Sequence, residues 1–185
     1  DAAREELAAY AQPSEEPEKK PNIIVIMDEA FSDPAVLADF QTNEDYMPFM
    51  HSMMDGADNT VSGWLNVSVL GGNTANTEFE YLTGNTMAFL PTGSIPYQQY
   101  VLGPTASLAS ILKVEGYSTL AFHPGERASW QRDRAYPRLG FDSYKCGDDM
   151  DVPQTFEHGY VSDDSDFEQI IWEFEHKLSL IHIPS

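Results

Sequence analysis

An abrupt change in composition at Asn22 constrains the fold more than any other feature of this sequence. The preceding stretch, DAAREELAAYAQPSEEPEKKP, is charged and contains three prolines, whereas the next six residues read NIIVIM. A short continuous apolar run rich in β-branched residues is typical of a strand buried on both faces of a parallel sheet. We therefore expect a connecting arm over residues 1–21 and an ordered domain that begins at residue 22.

Apolar periodicity and turn residues predict an alternation of strands and helices after this first run. Such an alternation is typical of an α/β fold with a mainly parallel sheet flanked by helices, whose ligands bind at the carboxyl ends of the strands. The predicted elements are a helical turn at Asp33-Pro34, a helix over 47–54, a strand over 60–70, a helix over 74–82 closed by Gly84, a surface loop over 85–104 carrying Tyr97 and Tyr100, a helix capped by Thr105 with Leu108, Ile111 and Leu112 on one face, a strand over 117–122, and a last helix from Ser162 or Ser165. Residues 137–157 are rich in Pro, Gly and Asp, and no element is assigned to them.

The end of the sequence differs from the domain before it. The residues KLSLIHIPS fit the preceding pattern poorly, so we assign the domain to residues 22–177 and treat 178–185 as a tail that a truncation or a sequencing artefact would explain. No apolar run approaches the roughly 20 residues that cross a bilayer. We expect any membrane anchor or export signal to lie outside this chain.

Charge and cysteine content exclude several classes of function. The formal net charge is −20, from 30 acidic and 10 basic residues, and no strong basic patch is visible, so a nucleic acid is not an expected partner. Cys146 is the one cysteine, which excludes an intramolecular disulfide and a multi-cysteine metal site. A phosphate-bearing ligand would need local arginines, a helix N-terminus or a metal ion.

Two residues, Glu29 and Thr74, are candidates for phosphoryl chemistry. Glu29 follows the first apolar run and could be a ligand of a hard metal ion, or equally a helix cap or a surface partner. Thr74 follows Gly71 and Gly72 and opens a predicted helix, where most threonines are only N-caps. A helix N-terminus and a metal held by Glu29 would together activate the Thr74 hydroxyl for attack on phosphorus.

The stretch FHPGERASWQRDRAY, residues 122–136, is the other candidate. It brings His123, Arg127, Trp130, Arg132 and Arg134 together in an otherwise acidic chain. This concentration suits an anionic group with Trp130 packed on its organic part. A solvated loop with Trp130 anchored in the core explains the same residues equally well.

Several separated motifs together resemble the lipoteichoic acid synthase and phosphoglycerol transferase family. They are PNIIVIMDEAFSDP, GGNTANTEFEYLTG, LPTGSIPYQQY and FHPGERASWQRDRAY, in the family's order and approximate spacing over about residues 21–175. The family is part of the sulfatase-like branch of the alkaline phosphatase superfamily. The resemblance therefore implies an alkaline-phosphatase-like α/β fold, of which this chain would be the N-terminal part.

The resemblance also implies roles for individual residues. Glu29 falls on a ligand of a divalent ion, commonly Mn²⁺ with Mg²⁺ as the alternative, and Thr74 falls on the residue that is both metal ligand and nucleophile. His123, Trp130 and Arg132 fall on the glycerol-phosphate pocket. The implied reaction moves glycerol phosphate from phosphatidylglycerol to a polymer or glycolipid acceptor through a phosphoglycerol-threonine intermediate. Family members are bacterial membrane proteins with an extracytoplasmic catalytic domain.

The sequence departs from the family pattern at three points. Gly125 stands where some members carry an acidic substrate contact, and Met27 where some carry a histidine. The family's remaining metal ligands, an Asp-His pair, are absent, because no Asp-His dipeptide occurs in the chain. We therefore expect these 185 residues to bind metal weakly and to be inactive alone.

Other functions remain open at the level of sequence. The same fold would serve a phosphodiesterase, a phosphoethanolamine transferase or a sulfatase, although a threonine cannot become the formylglycine of a true sulfatase. The chain could also be a lipid-head-group binding module or an inactive fragment.

Overall fold

Four parallel strands form the central sheet of the computed structural model, which describes residues 20–28, 31–38, 41–69, 72–177 and 180–184. The strand order is β1-β6-β2-β3, and every neighbouring pair is parallel. A separate two-stranded antiparallel ribbon joins β4 to β5. The predicted α/β fold with a parallel sheet is confirmed. The strands are β1 Ile23–Met27, β2 Thr119–His123, β3 Ser143–Cys146, β4 Phe156–Glu157, β5 Tyr160–Val161 and β6 Leu180–Pro184.

The helices of the described residues are short, apart from the last one. The α-helices are α1 Pro48–Met54, α2 Thr74–Thr83, α3 Pro96–Gln99, α4 Leu108–Val114, α5 Arg132–Arg138 and α6 Asp163–Lys177, and single 3-10 turns lie at Pro34–Val36, Met87–Phe89, Ser129–Gln131 and Gly147–Asp149. The 3-10 turn at Pro34 begins as predicted, because the Asp33 carboxylate accepts a hydrogen bond from the Ala35 N–H at 2.8 Å.

Strand β1 forms where the NIIVIM run predicts it, but it is not buried on both faces. Ile24 and Ile26 are 40% and 48% exposed. The reason is its place at an edge of the sheet, where one face has no covering layer among the described residues. The prediction of a strand is confirmed, and the prediction of two buried faces is wrong.

Helix α2 has the limits that its glycines predict. It begins at Thr74, after Gly72 at φ 100°, and it ends at Gly84, which adopts the left-handed conformation at φ 67° and donates its N–H to the Glu80 carbonyl at 2.9 Å. Glycine adopts this conformation without the clash that a Cβ atom would cause, so it is the common terminator of helices.

Two predicted elements differ from the structure. The described part of residues 60–70 is not a strand. Val61, Trp64 and Leu65 in it are at least 80% exposed, so these three side chains have little packing against other described residues. Conversely, β3 lies within residues 137–157, where the sequence predicts no element. Its sequence, SYKC, lacks the apolar run that identifies a buried strand, and it forms because the edge of β2 offers hydrogen-bond partners.

Helix α4 is capped two residues later than predicted. Ser107, not Thr105, accepts a hydrogen bond from the Ser110 N–H at 3.2 Å, and the Ser110 hydroxyl accepts one from the Ser107 N–H at 2.8 Å. This reciprocal pair is a capping box. The predicted apolar face also differs, because Ala109 is the buried residue of the helix and Ile111 is 59% exposed.

The main core lies between α2, α3, α5 and the strands β2 and β3. Tyr97, placed by the sequence on a surface loop, is fully buried in this core on the single turn α3, whereas Tyr100 is 47% exposed. The core members are Ala75, Phe79, Leu82, Tyr97, Val101, Ala109, Ala121, Ala135, Tyr136, Leu139 and Phe141. A smaller cluster joins Phe122 on β2 to Ile170 on α6, which holds the last helix against the sheet.

The two ends of the chain are described only in part. The arm predicted over 1–21 lies outside the described residues except for Lys20 and Pro21. Residues 180–184 of the predicted tail form β6, which pairs with β1 on one side and β2 on the other. The domain limits and the origin of the tail stay predictions. Any segment of suitable backbone conformation can form hydrogen bonds with β1 and β2, so the pairing of β6 does not show that the tail is native.

Candidate active site

Thr74 is the first residue of helix α2 and is partly buried. The chain reaches it through two residues in the left-handed region, Gly72 at φ 100° and Asn73 at φ 69°. The first-turn N–H groups of a helix have no acceptor within the helix, and the dipole is positive at this end. A phosphoryl group at the N-terminus of α2 would be stabilised by these groups.

Glu29, the second residue assigned to the metal, lies outside the described residues. Its separation from Thr74 is therefore not determined, and the structure ends β1 at Met27, two residues before it. Within the described ranges no group of three or more His, Cys, Asp and Glu side chains is arranged to hold a metal ion. The Thr74 hydroxyl is the one assigned metal donor that the described residues contain, and the metal site stays a prediction.

His123 is the last residue of β2, at the carboxyl end of the sheet, as predicted. Its ring nitrogen Nδ1 accepts a hydrogen bond from the Gly125 N–H at 3.0 Å, which leaves the proton on Nε2. Burial and then the positive charge of Arg132 lower the pKa of His123 to about 4. At neutral pH the ring is therefore an uncharged hydrogen-bond donor.

Gly125 leaves room for the His123 ring. A Cβ atom at residue 125 would lie 2.6 Å from Cε1 of His123 and 3.0 Å from Nδ1, so a larger residue would displace the ring. The glycine at residue 125, which departs from the family pattern, therefore permits this orientation of the His123 ring. A residue with a side chain at this position would exclude it.

Trp130 lies on a strained turn before helix α5. Both Trp130 and Gln131 adopt left-handed backbone conformations, with φ of 56° and 61°. Such conformations in non-glycine residues cost of order 1 kcal/mol each or more, and they concentrate at ligand-binding sites. Trp130 is partly buried and packs against the main core, so the sequence interpretation of a core anchor is correct for its buried part.

Arg132, the first residue of α5, is almost completely buried in an ion pair with Glu78. Its Nε lies 3.1 Å and 3.3 Å from the two carboxylate oxygens of Glu78, and its Nη2 also donates to Oε1. Burial disfavours the guanidinium charge, but the hydrogen bonds and charge of Glu78 outweigh burial and raise the pKa of Arg132. Removing one partner of such a buried pair typically costs about 3–5 kcal/mol of stability.

Two tyrosines complete the surroundings of Glu78. The hydroxyls of Tyr97 and Tyr136 donate to Oε2 of Glu78 at 3.2 Å and 2.8 Å. Burial, followed by the negative charge of Glu78, raises the pKa of both phenols well above the ordinary value. Both tyrosines therefore remain protonated donors.

The Glu78–Arg132 pair connects helix α2, which Thr74 begins, with helix α5, which Arg132 begins. Glu78 lies one turn after Thr74 on α2 and binds Arg132, whose charge acts on His123. Sequence reasoning missed Glu78, although a signal was present. Glu78 falls on the apolar face of α2 marked by Ala75 and Leu82, and a carboxylate on a buried face needs a cationic partner.

A surface cleft of about 480 Å³ lies at the other end of α2. It is lined by Phe79, Gly84, Asn85, Thr86, Phe89, Leu90 and Tyr100. Because Gly84 follows the last turn of α2, this cleft is remote from Thr74 at the first turn. It is therefore not part of the candidate site.

The sequence defines a domain of the sulfatase class. The sequence model of the sulfatase family matches residues 21–176, and the chain belongs to this family. It is 41% identical over 153 residues to a putative cyclic beta-1,2-glucan modification protein of Rhizobium meliloti, covering 82% of this chain and 22% of that protein. It is 29% identical over 140 residues to lipoteichoic acid synthase 1 of Bacillus subtilis, covering 73% and 21%.

Solved structures support the same fold. Phosphoglycerol transferase GacH of Streptococcus pyogenes, in complex with sn-glycerol-1-phosphate, is similar with a TM-score of 0.68 at 19% identity, over 89% of this chain and 44% of that one. Lipoteichoic acid synthase LtaP of Listeria monocytogenes gives 0.64 at 21% identity, over 92% and 42%. At these identities the likeness establishes the fold. The chain spans about a fifth of the length of both curated relatives, 22% of one and 21% of the other.

Proposed function

We propose that the intact protein containing this chain transfers glycerol phosphate from phosphatidylglycerol to an acceptor hydroxyl, with Thr74 as the nucleophile. The observation that carries the proposal is Thr74 at the N-terminus of α2, one turn before the residue that binds Arg132. The names of two relatives, lipoteichoic acid synthase 1 and phosphoglycerol transferase GacH, support this reaction class.

The proposed reaction proceeds in two displacements. The Thr74 oxygen forms a bond to phosphorus, the bond from phosphorus to the diacylglycerol oxygen breaks, and the hydroxyl proton of Thr74 ends on the released diacylglycerol. An acceptor hydroxyl then attacks the phosphothreonine, and its proton returns to Thr74. Neutral His123 donates a hydrogen bond from Nε2 and Arg132 supplies positive charge, so both hold the glycerol phosphate in line.

Members of the alkaline phosphatase superfamily generally use divalent metal ions, and Glu29 and Thr74 would hold Mn²⁺ or Mg²⁺ here. When bound, such an ion lowers the pKa of a coordinated hydroxyl and neutralises charge on phosphoryl oxygens. No described helix is long and apolar enough to cross a bilayer. Membrane attachment through segments outside this chain, with the catalytic domain on the extracytoplasmic side of a bacterial membrane, is part of the proposal.

Substitution of Thr74 tests the nucleophile. In the intact protein, Thr74→Ala removes the attacking oxygen, and we expect loss of transfer from labelled phosphatidylglycerol. Thr74→Ser retains a hydroxyl at the helix start, and we expect it to keep measurable turnover and to accumulate label on the protein. Undiminished transfer by Thr74→Ala would refute the assignment.

The acceptor has two candidates. The family resemblance suggests a glycerol-phosphate polymer or a glycolipid, whereas the relative at 41% identity is named for modification of a cyclic beta-1,2-glucan. Incubation of the intact protein with labelled phosphatidylglycerol and either acceptor distinguishes them by the product that carries label. Free glycerol phosphate with neither acceptor labelled would indicate a hydrolase instead.

A further inference from the structure

Glu78 is the most completely satisfied buried carboxylate near the candidate site. Its side chain is 0% exposed and accepts hydrogen bonds from Arg132, Tyr97 and Tyr136. A buried charge with this many donors has its position fixed by all of them at once. Glu78 therefore cannot move without disturbing α2, α3 and α5 together.

The ion pair uses only one edge of the Arg132 guanidinium. Nε and Nη2 bind Glu78, whereas Nη1 is buried and has no hydrogen-bond partner within the part of the chain that the structure describes. The guanidinium is a rigid planar fork, so fixing one edge also fixes the direction of the other nitrogen. A buried cationic N–H group without a partner is costly unless a ligand binds it.

The carboxylate also connects this arginine to the proposed nucleophile. Glu78 and Thr74 are four residues apart on α2, so they lie on the same side of the helix. Burial and then the charge of Arg132 lower the pKa of the His123 imidazole. The ion pair itself fixes the position of Arg132 relative to helix α2, which Thr74 begins.

We infer that Glu78 is a positioning residue, which holds Arg132 so that its Nη1 edge binds the phosphoryl group under attack by Thr74. This inference rests on the proposed function. It assigns the carboxylate no contact with the substrate, since all of its action passes through Arg132.

The experiment uses the intact protein and two readouts, kcat/KM with phosphatidylglycerol and calorimetric binding of glycerol phosphate. We expect Glu78→Gln to lower kcat/KM by at least about tenfold, because a misplaced catalytic group loses rate steeply. Binding of glycerol phosphate should weaken in the same variant. Both losses should be much smaller in an Arg132→Lys background, since Glu78 acts only through Arg132.

Glu173→Gln is the matched control. Glu173 on α6 is 1% exposed, is paired with Lys145 and accepts a hydrogen bond from Gln169 at 2.8 Å. The same substitution there removes an equally buried charge without touching Arg132. We expect a comparable loss of thermal stability with an unchanged kcat/KM below the melting temperature.

The outcomes separate the two proposals. Wild-type protein that neither binds nor transfers glycerol phosphate refutes the proposed function and the inference with it. Active wild-type protein with an unimpaired Glu78→Gln variant, or equal losses in both arginine backgrounds, overturns the positioning role alone. Should Glu78→Gln fail to fold, Tyr136→Phe, which removes one donor to Glu78, replaces it in the same cycle and is judged by the same criterion.

Discussion

At the scale of single residues, the neutral state of His123 is the most testable electrostatic feature. Burial and the Arg132 charge lower its pKa to about 4 from 6.5, while the negative charge of Glu78 acts in the opposite direction. The native protein therefore resists protonation of this ring. An unfolded chain accepts the proton near the ordinary value.

We predict that this difference makes stability fall as the pH decreases from about 6.5 to about 4. In this window the unfolded chain binds a proton at His123 before the native protein does, so acid favours unfolding. The contribution of one group is at most about 1.4 kcal/mol per pH unit. The measurement is the free energy of unfolding against pH for the wild type and for His123→Gln.

His123→Gln is a suitable comparison because it keeps a neutral polar group at the end of β2. The free energy of unfolding of the wild type minus that of His123→Gln should decrease as the pH falls from about 6.5 to about 4, and it should become constant at lower pH. Parallel curves from pH 7 to pH 4 would contradict a neutral, buried His123.

The sequence predicted some residues of the site better than others, for physical reasons. His123 and Arg132 stand out as basic residues in an acidic chain, and they do lie near each other. Glu78 was missed because one acid among 30 stands out only through its place on the apolar face of α2, which residue type alone does not indicate. The full burial of Arg132 was equally invisible, since its partner lies 54 positions away in the chain.

At the scale of elements, residues with unusual backbone preferences predicted helix limits well. Gly84 ends α2 and Asp33-Pro34 begins a turn, because their conformations are locally determined. Strands were harder to predict. The segment at 60–70 has strand-forming residues but no partner edge among the described residues, whereas β3 has weak propensity and a partner edge. Strand formation depends on that long-range pairing, which the sequence alone does not reveal.

The first turn of helix α6 contains a partly buried carboxylate, Asp166, whose ionisation lowers the stability of the protein. Burial and then the charge of Asp163 raise the pKa of Asp166 to about 6 from 3.8. Its Oδ1 is buried without a hydrogen-bond partner in the described structure. Between about pH 3.8 and about pH 6, Asp166 is therefore protonated in the native protein but ionised in the unfolded chain.

We predict that Asp166→Asn stabilises the protein above about pH 6 and has little effect near pH 3.8. The stability associated with the raised pKa is present at low pH and is lost as the pH rises through the native value, and the amide removes this loss. Thermal unfolding at pH 4 and pH 8 measures the effect.

Asp164→Asn is the control for Asp166→Asn. Asp164 is exposed in the same first turn of α6, so this substitution removes the same charge from the helix N-terminus without changing a buried group. Equal stability changes in the two variants, at both pH values, would show that the helix dipole rather than burial of Asp166 is responsible.

At the scale of the whole molecule, the sequence predicted the parallel α/β architecture but not the strand order. Apolar runs identify β1 and β2, yet nothing in them indicates that β6 lies between the two. The predicted site edge was correct for His123 at the end of β2. The strand predicted before the Gly71–Thr74 turn does not form over residues 60–69, the part of it that the structure describes, so helix α2 and its ion pair with α5 carry Thr74 instead.

The number of metal donors in the whole chain leads to the last prediction. The residues assigned to the metal are Glu29 and Thr74, and two oxygen ligands leave most of the six positions that Mg²⁺ requires unfilled. We therefore expect calorimetric titration of the 185-residue chain with Mn²⁺ to show only weak binding, reduced by 0.15 M salt because the net charge of −20 attracts cations non-specifically. The intact protein should bind one ion tightly and lose this binding in Glu29→Gln. Tight one-to-one binding by the 185-residue chain, unaffected by Glu29→Gln, would refute Glu29 as a ligand and indicate another site in this chain.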